Sequence, residues 1–167
     1  MPKTLIRRGR RSDAEDFLRL LTALANFERL EPPDEATSHR LVEDVFAKRR
    51  LGLFVASIGT EIVGYALYFY AYSSFLARPT FYLEDIFVSE EHRGTGIGSS
   101  LFRRCLSEAI SEGCGRMEWA VLTWNRNAIG FYEKIGARRL KDWYVYRLRG
   151  DQFARTLRAL KGAAAKD

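Results

Sequence analysis

The chain has 167 residues, 47% of them hydrophobic and 13% aromatic, with 27 Lys and Arg against 21 Asp and Glu, a formal charge of +6. That is the length of one domain, and it carries enough apolar material for a buried core, which excludes a disordered chain. The positive balance favours polyanionic partners without choosing among nucleic acid, a membrane surface and a phosphate-bearing small molecule.

In chain order, a first strand is predicted over Lys3 to Arg8, in an opening stretch that has no apolar core of signal-peptide type. Ser12-Asp13-Ala14-Glu15 has the S-x-x-E form of a capping box, and Phe17, Leu20, Leu21, Leu24 and Phe27 then recur at helical spacing. Pro32 and Pro33 end that helix, and a second is predicted from Ser38 to about Lys48. Strands follow at Gly52 to Ile58 and Glu61 to Tyr72, joined at Gly59-Thr60. The longest uncharged run, Ile62 to Ala77, is shorter than the ~18 residues of a membrane span and reads as a buried strand, so no membrane partner is expected.

A fourth strand is predicted over Thr80 to Val88. A glycine loop carries it into a helix with Leu101, Phe102, Cys105, Leu106, Ala109 and Ile110 buried and Arg103, Arg104, Glu108 and Glu112 facing out, ended by Gly113. The remaining elements are a strand at Met117 to Leu122, a helix at Asn127 to Ile135 stopped by Gly136, a strand at Trp143 to Leu148 and a closing helix at Asp151 to Leu160. That helix carries Phe153, Leu157 and Leu160 on one side, and the Ala-rich end beyond it is expected to fray. No repeat or linker marks a second domain, so residues 1–167 are expected to form one.

Cys105 and Cys114 lie nine residues apart, roughly 13 Å along a helix axis, too far for a disulfide; a reducing, cytoplasmic setting is expected. His39 and His92 have no partner at metal-ligand spacing, so no metal is expected. The run Arg7 to Arg11 could serve as a nucleic-acid arm, but its place between a strand and a capped helix favours a solvated turn, and no nucleic-acid partner is expected.

The stretch VSEEHRGTGIGSSLF, residues 88–102, places Gly94, Gly96 and Gly98 between a strand and a helix. Such a junction gathers unpaired backbone N–H groups and the positive end of a helix dipole, which suits phosphate. Glycine there supplies positive φ and lets a ligand approach the backbone. The Walker pattern fails for want of G-K-[ST], and G-x-G-x-x-G fails at Ser99; what remains is R-x-x-G-x-G, Arg93, Gly96 and Gly98.

Together, YLEDIFVSEEHRGTGIGS and WNRNAIGFYEKIGA resemble the GNAT superfamily of N-acetyltransferases, most nearly its spermidine/spermine and thialysine acetyltransferases, over about Ile6 to Phe153. The resemblance implies an α/β fold with a mixed, mostly antiparallel twisted sheet of about seven strands flanked by helices. It implies acetyl-CoA as co-substrate, a homodimer and a small-molecule amine acceptor. By position, it implies that Ile86, Phe87 and Val88 bind the pantetheine arm as an added strand. Gly94, Thr95, Gly96, Ile97, Gly98 and Ser99 would hold the pyrophosphate, with Arg93 beside them, and Asn125, Arg126, Asn127 and Ala128 would also contact acetyl-CoA.

Amine acetylation needs a neutral amine and a proton for the departing thiolate. Tyr132 matches the general-acid position, and a phenol with a pKa near ~10 can donate at neutral pH. Glu84 and Asp85 stand in an apolar strand, where alternation would send them to opposite faces and burial demands a partner or a raised pKa. Glu84 matches the family's proton acceptor, and a structural ion pair with an arginine is the alternative for both carboxylates. Phe27 and Glu28 match a substrate-contacting pair, ahead of an acidic stretch through Glu31, Asp34 and Glu35; a solvated loop is the alternative there. Ser73 and Phe75 stand where polyamine-acetylating relatives carry an acid and a tryptophan. The expected activity is therefore acetyl transfer to a small cationic amine such as a polyamine or a lysine-like amine. Peptide acetylation, a non-catalytic acyl-CoA-binding module and a nucleic-acid binder are the alternatives.

Overall fold

A computed structural model describes residues 4–164 of the chain, which divides into two compact units, 1–120 and 121–167. The first holds β1 (Thr4–Arg8), α1 (Ala14–Glu28), α2 (Glu35–Phe46), β2 (Gly52–Ile58), β3 (Glu61–Ser73), β4 (Arg78–Val88), α3 (Ile97–Ser111) and β5 (Arg116–Glu118). The second holds α4 (Arg126–Lys134) and α5 (Phe153–Ala164). Lys3 and residues 165–167, on which the predicted strand start and part of the predicted fraying fall, lie outside the described residues; α5 itself continues through Ala164.

The sheet runs β1-β2-β3-β4-β5, antiparallel except for the parallel β4–β5 pair, so it has five strands rather than about seven. Two predicted strands account for part of the difference. Of Met117 to Leu122, only the stretch ending at Glu118 finds a partner. No strand forms at Trp143 to Leu148, where Trp143 is 76% and Tyr146 92% exposed: β-rich composition makes a strand only where a neighbouring backbone accepts the ladder.

Phe17, Leu20 and Leu24 of α1 pack with Val55, Tyr65, Leu67 and Phe87 of the sheet, Phe17 meeting Tyr65 edge-on at 5.0 Å between ring centroids. Stacked Phe54, Tyr68 and Phe81 form a second aromatic layer. The predicted capping box does not form. Asp13 takes its place, buried, accepting the Arg10 N–H at 2.7 Å and both terminal nitrogens of Arg7 at 2.7 and 2.9 Å. The Arg7 hydrogen bond holds its carboxyl below the usual range. Likewise α2 starts at an Asp34 cap, whose carboxylate accepts the Thr37 N–H at 2.8 Å, rather than at Ser38.

The largest misplacement is on α3. Leu101, Phe102, Cys105 and Ala109 are buried as expected, but Leu106 and Ile110 are exposed, Ile110 by 79%, and Glu108 is only 5% exposed. Helical spacing puts position 108 on the stripe with 101 and 105, and arginines compensate the buried charge. Arg104 donates to Glu108 at 3.0 Å, and Arg8 pairs with the same carboxylate while also donating to the Tyr68 hydroxyl at 3.1 Å. Burial pushes Tyr68 up to about 12. Two members of the basic stretch, Arg7 and Arg8, are thus fixed to buried acids.

Removing one member of a buried charge cluster strands the others, so Glu108→Ala is expected to cost about 3 kcal/mol in urea unfolding. Ile110→Ala is expected to stay within about 0.5 kcal/mol, the reverse of the order that helix patterning alone would give.

Candidate active site

The site begins with a break in strand pairing. β4 is paired with β3 along its length but with β5 only at Thr80 to Tyr82. From Leu83 to Val88 its other edge has no strand partner among the described residues. Such an edge presents backbone donors and acceptors to any extended group carrying amides, which is how a pantetheine arm would meet Ile86, Phe87 and Val88.

Within that segment the β3–β4 register shifts: Leu67 faces Asp85 and Tyr68 faces Leu83, leaving Glu84 as the extra residue of a β-bulge. Asp85, two residues from Phe87 in the regular part of the ladder, falls in line with Leu67 and Tyr65 on the face covered by α1, and Glu84 is exposed.

Asp85 has no hydrogen bond or ion pair among the described residues, so neither carboxylate of this pair meets the arginine that a structural ion pair would need. Burial, then Glu84, then Glu28 push Asp85 up to about 7. Burial also raises Glu28 at the end of α1. Folded Asp85 keeps a proton that the unfolded chain has lost between its ordinary range near 4 and about 7, so through that window rising pH takes stability away. Tyr65 belongs to the same group. Its ring is fully buried and its hydroxyl has no hydrogen-bond partner among the described residues; burial, then Asp85 and Glu28, raise it well above an ordinary tyrosine. A tyrosine in a run of Val, Gly, Ala and Leu reads as core, so nothing in the sequence singles it out.

The glycine loop follows β4. The Arg93 guanidinium donates from Nε to the Val88 carbonyl at 3.0 Å and lies over the rings of Phe27 at 4.8 Å and Phe87 at 5.1 Å. Arg93 thus binds the loop back to the strand, and Phe27 supports that contact. The Thr95 hydroxyl donates to the His92 carbonyl at 2.6 Å, and His92 Nδ1 lies 2.9 Å from Ser89 Oγ. Gly94 and Gly96 have φ of +76° and +85°, and Gly96 is the N-cap of α3 with no side-chain cap. The first turn of α3, Ile97, Gly98 and Ser99, carries no acid, which leaves its N–H groups available to an anion. Glycine is needed at 94 and 96 for φ; a Cβ at either would meet nothing, and at Gly98, where φ is helical, it would touch only Val88 at 3.9 Å.

In the second unit, Asn125 caps α4, its side-chain oxygen accepting the Ala128 N–H at 3.2 Å. Arg126 and Asn127 are exposed in the first turn. Tyr132, half-buried on α4, is raised by burial, so its phenol holds its proton at neutral pH.

Of the remaining candidates, Asp34 is committed to its helix cap, Ser73 accepts the Leu76 N–H at 3.3 Å, and Phe75 is fully exposed. Cys105 is buried, and burial pushes its thiol up to about 12, so it is no nucleophile.

Residues 15–137 match the family model described as Acetyltransferase (GNAT) family. The thialysine N-epsilon-acetyltransferase of Sus scrofa is 34% identical over 163 residues, spanning 90% of this chain and 95% of its own. The L-ornithine N5-acetyltransferase of Arabidopsis thaliana is 47% identical over 90 residues, 54% of this chain and 40% of its own. Among solved structures, AAC(6')-Iy in complex with a bisubstrate analogue of CoA and monomethyl-acetylneamine superposes with a TM-score of 0.74 at 21% identity, covering 88% of this chain and 99% of that one.

An alanine at a left-handed position costs about 1–2 kcal/mol. Gly96→Ala should therefore lower stability in urea unfolding by about that amount, whereas Gly98→Ala, helical and uncrowded, should leave it within about 0.5 kcal/mol.

Proposed function

Because the chain belongs to the acetyltransferase (GNAT) family, we propose that it moves the acetyl group of acetyl-CoA to the primary amine of a small cationic acceptor of the thialysine, ornithine or polyamine kind. The observation that carries the choice of a cation is the acidic group of Asp85 and Glu84 at the β4 bulge and Glu28 at the end of α1, unpaired among the described residues, in a chain whose formal charge is +6. Negative charge held together without a structural cation is stabilised by one that arrives with the substrate.

The co-substrate has a fitting seat: the free edge at Ile86 to Val88 for its amide-bearing arm, and the uncapped start of α3 for its pyrophosphate. Asn125 to Ala128 lie at the start of α4 and contribute further contacts. The amine attacks the thioester carbonyl carbon directly; the N–C bond forms, the C–S bond breaks, Glu84 takes the amine's proton through water, and Tyr132 gives its proton to the thiolate. The buried, proton-holding Cys105 supports transfer without an acetyl-enzyme. The chain acts as a single N-acetyltransferase domain, and the family match across both compact units supports this. We place it in a reducing, cytoplasmic setting, consistent with two free cysteines, and as a homodimer, for which the exposed Phe153, Leu157 and Leu160 of α5 supply apolar surface.

Release of CoA thiol from acetyl-CoA with thialysine, ornithine, spermidine and a short lysine peptide tests this. Turnover is expected on at least one of the small amines and should fall about 10²-fold or more in Tyr132→Phe, with the KM for acetyl-CoA little changed. Turnover on the peptide alone would overturn the small-amine assignment.

A further inference from the structure

The candidate site leaves one polar group unexplained. A buried hydroxyl without a partner is costly, and Tyr65, fully buried, carries one that finds no partner among the described residues. Its position is specific. Tyr65 pairs with Phe87 and Leu67 with Asp85, so Tyr65 and Asp85 are diagonal neighbours on one face of the sheet, a spacing that an aromatic side chain spans. The hydroxyl lies within electrostatic range of both Asp85 and Glu28 yet bonds to neither, and neither carboxylate has a hydrogen bond or ion pair among the described residues.

Two carboxyl groups and a phenol oxygen thus stand within electrostatic range of one another, and no described residue donates a hydrogen bond to any of them. A phenol oxygen can accept one hydrogen bond while its O–H donates another. A primary ammonium carries three N–H donors and a full charge, the complement of two carboxylates and a phenol oxygen. Water could satisfy the hydrogen bonds but not the charge.

Building on the amine-acetylation reading above, we propose that Tyr65 is a specificity-determining residue of the acceptor site. Its buried hydroxyl accepts one hydrogen bond from the acceptor's primary ammonium as it arrives, with Asp85 and Glu28 facing the other two, before one of these protons passes through water to Glu84. The three-acceptor socket selects primary over N-methylated amines, because each methyl group removes a donor and leaves a buried acceptor unpaired. It also explains why a polar ring stands where phenylalanine would fill the same core space: the free protein is less stable for the hydroxyl, and the bound complex uses it.

The test is calorimetric titration of the full chain, with and without CoA, using thialysine, ornithine and spermidine and their N,N-dimethylated counterparts, on wild type and Tyr65→Phe. For an amine that binds wild type, Tyr65→Phe should weaken binding about tenfold or more while the Tm of the free protein rises and the KM for acetyl-CoA stays the same. On wild type, dimethylation of the bound amine should weaken binding at least as much, a measurement that stands whether or not the variant folds. Equal binding by wild type and Tyr65→Phe, equal binding of primary and dimethylated amines, or no binding of any of the three would overturn the proposal. Binding without thiol release would sink the transferase reading and leave the socket standing. Unchanged amine KM in an active Tyr65→Phe would do the opposite.

Discussion

Strand β4 keeps a partner on both edges for only three residues, Thr80 to Tyr82, and everything at the candidate site depends on what happens after that. Beyond Tyr82 one edge has no strand partner among the described residues while the other remains locked to β3, and the extra residue Glu84 bends the strand within that segment. A continuous two-sided ladder would satisfy every backbone group and leave no seat for an amide-bearing arm. The alignment of the site comes from the regular part of the same ladder: Leu67 pairs with Asp85 in the unbroken register that pairs Tyr65 with Phe87, which puts Asp85 in line with Tyr65 under α1, and the bulge follows directly at Glu84.

The glycine loop extends the same design. β4 ends at Val88, whose carbonyl is held by Arg93, and the Arg93 guanidinium is itself covered by Phe27 from α1 and Phe87 from β4. Those contacts fix where the loop leaves the strand, and the two positive-φ glycines then turn it into α3 without a side-chain cap. An open edge and an open helix start therefore follow one another along a short stretch of chain. On the far side of the sheet, the Glu108 cluster keeps α3 in place by compensating a buried charge.

Much of this was legible in the residues. Continuous apolar runs around the Gly59-Thr60 turn give β2 its observed ends and β3 its own within one residue, the predicted β4 falls within two residues of the observed one, and the spacing of Gly94, Gly96 and Gly98 before an amphipathic run marks the loop. Glu108 was misplaced because a charged residue is read as surface unless its partner is known, and Arg8 is a hundred positions away. The short β5 and the unpaired Trp143 to Leu148 segment show the same limit, since pairing is decided by a distant backbone. The bulge at Glu84 carries no glycine or proline to announce it, so the alternation rule does not reveal the register break within β4. Tyr65 was invisible because its ring fits the core and only its oxygen does not.

The central claim is that the acceptor amine is met by a half-buried carboxylate that folding leaves without a partner among the described residues. Carbon-13 NMR of the Asp85 side-chain carboxyl, titrated from pH 4 to 9 in the free protein and again with saturating thialysine or ornithine, tests it directly. The predicted result is a midpoint at about 7 in the free protein, moving down when the ammonium is present to stabilise the charged form. A midpoint in the ordinary aspartate range, unmoved by any of these amines, would contradict it.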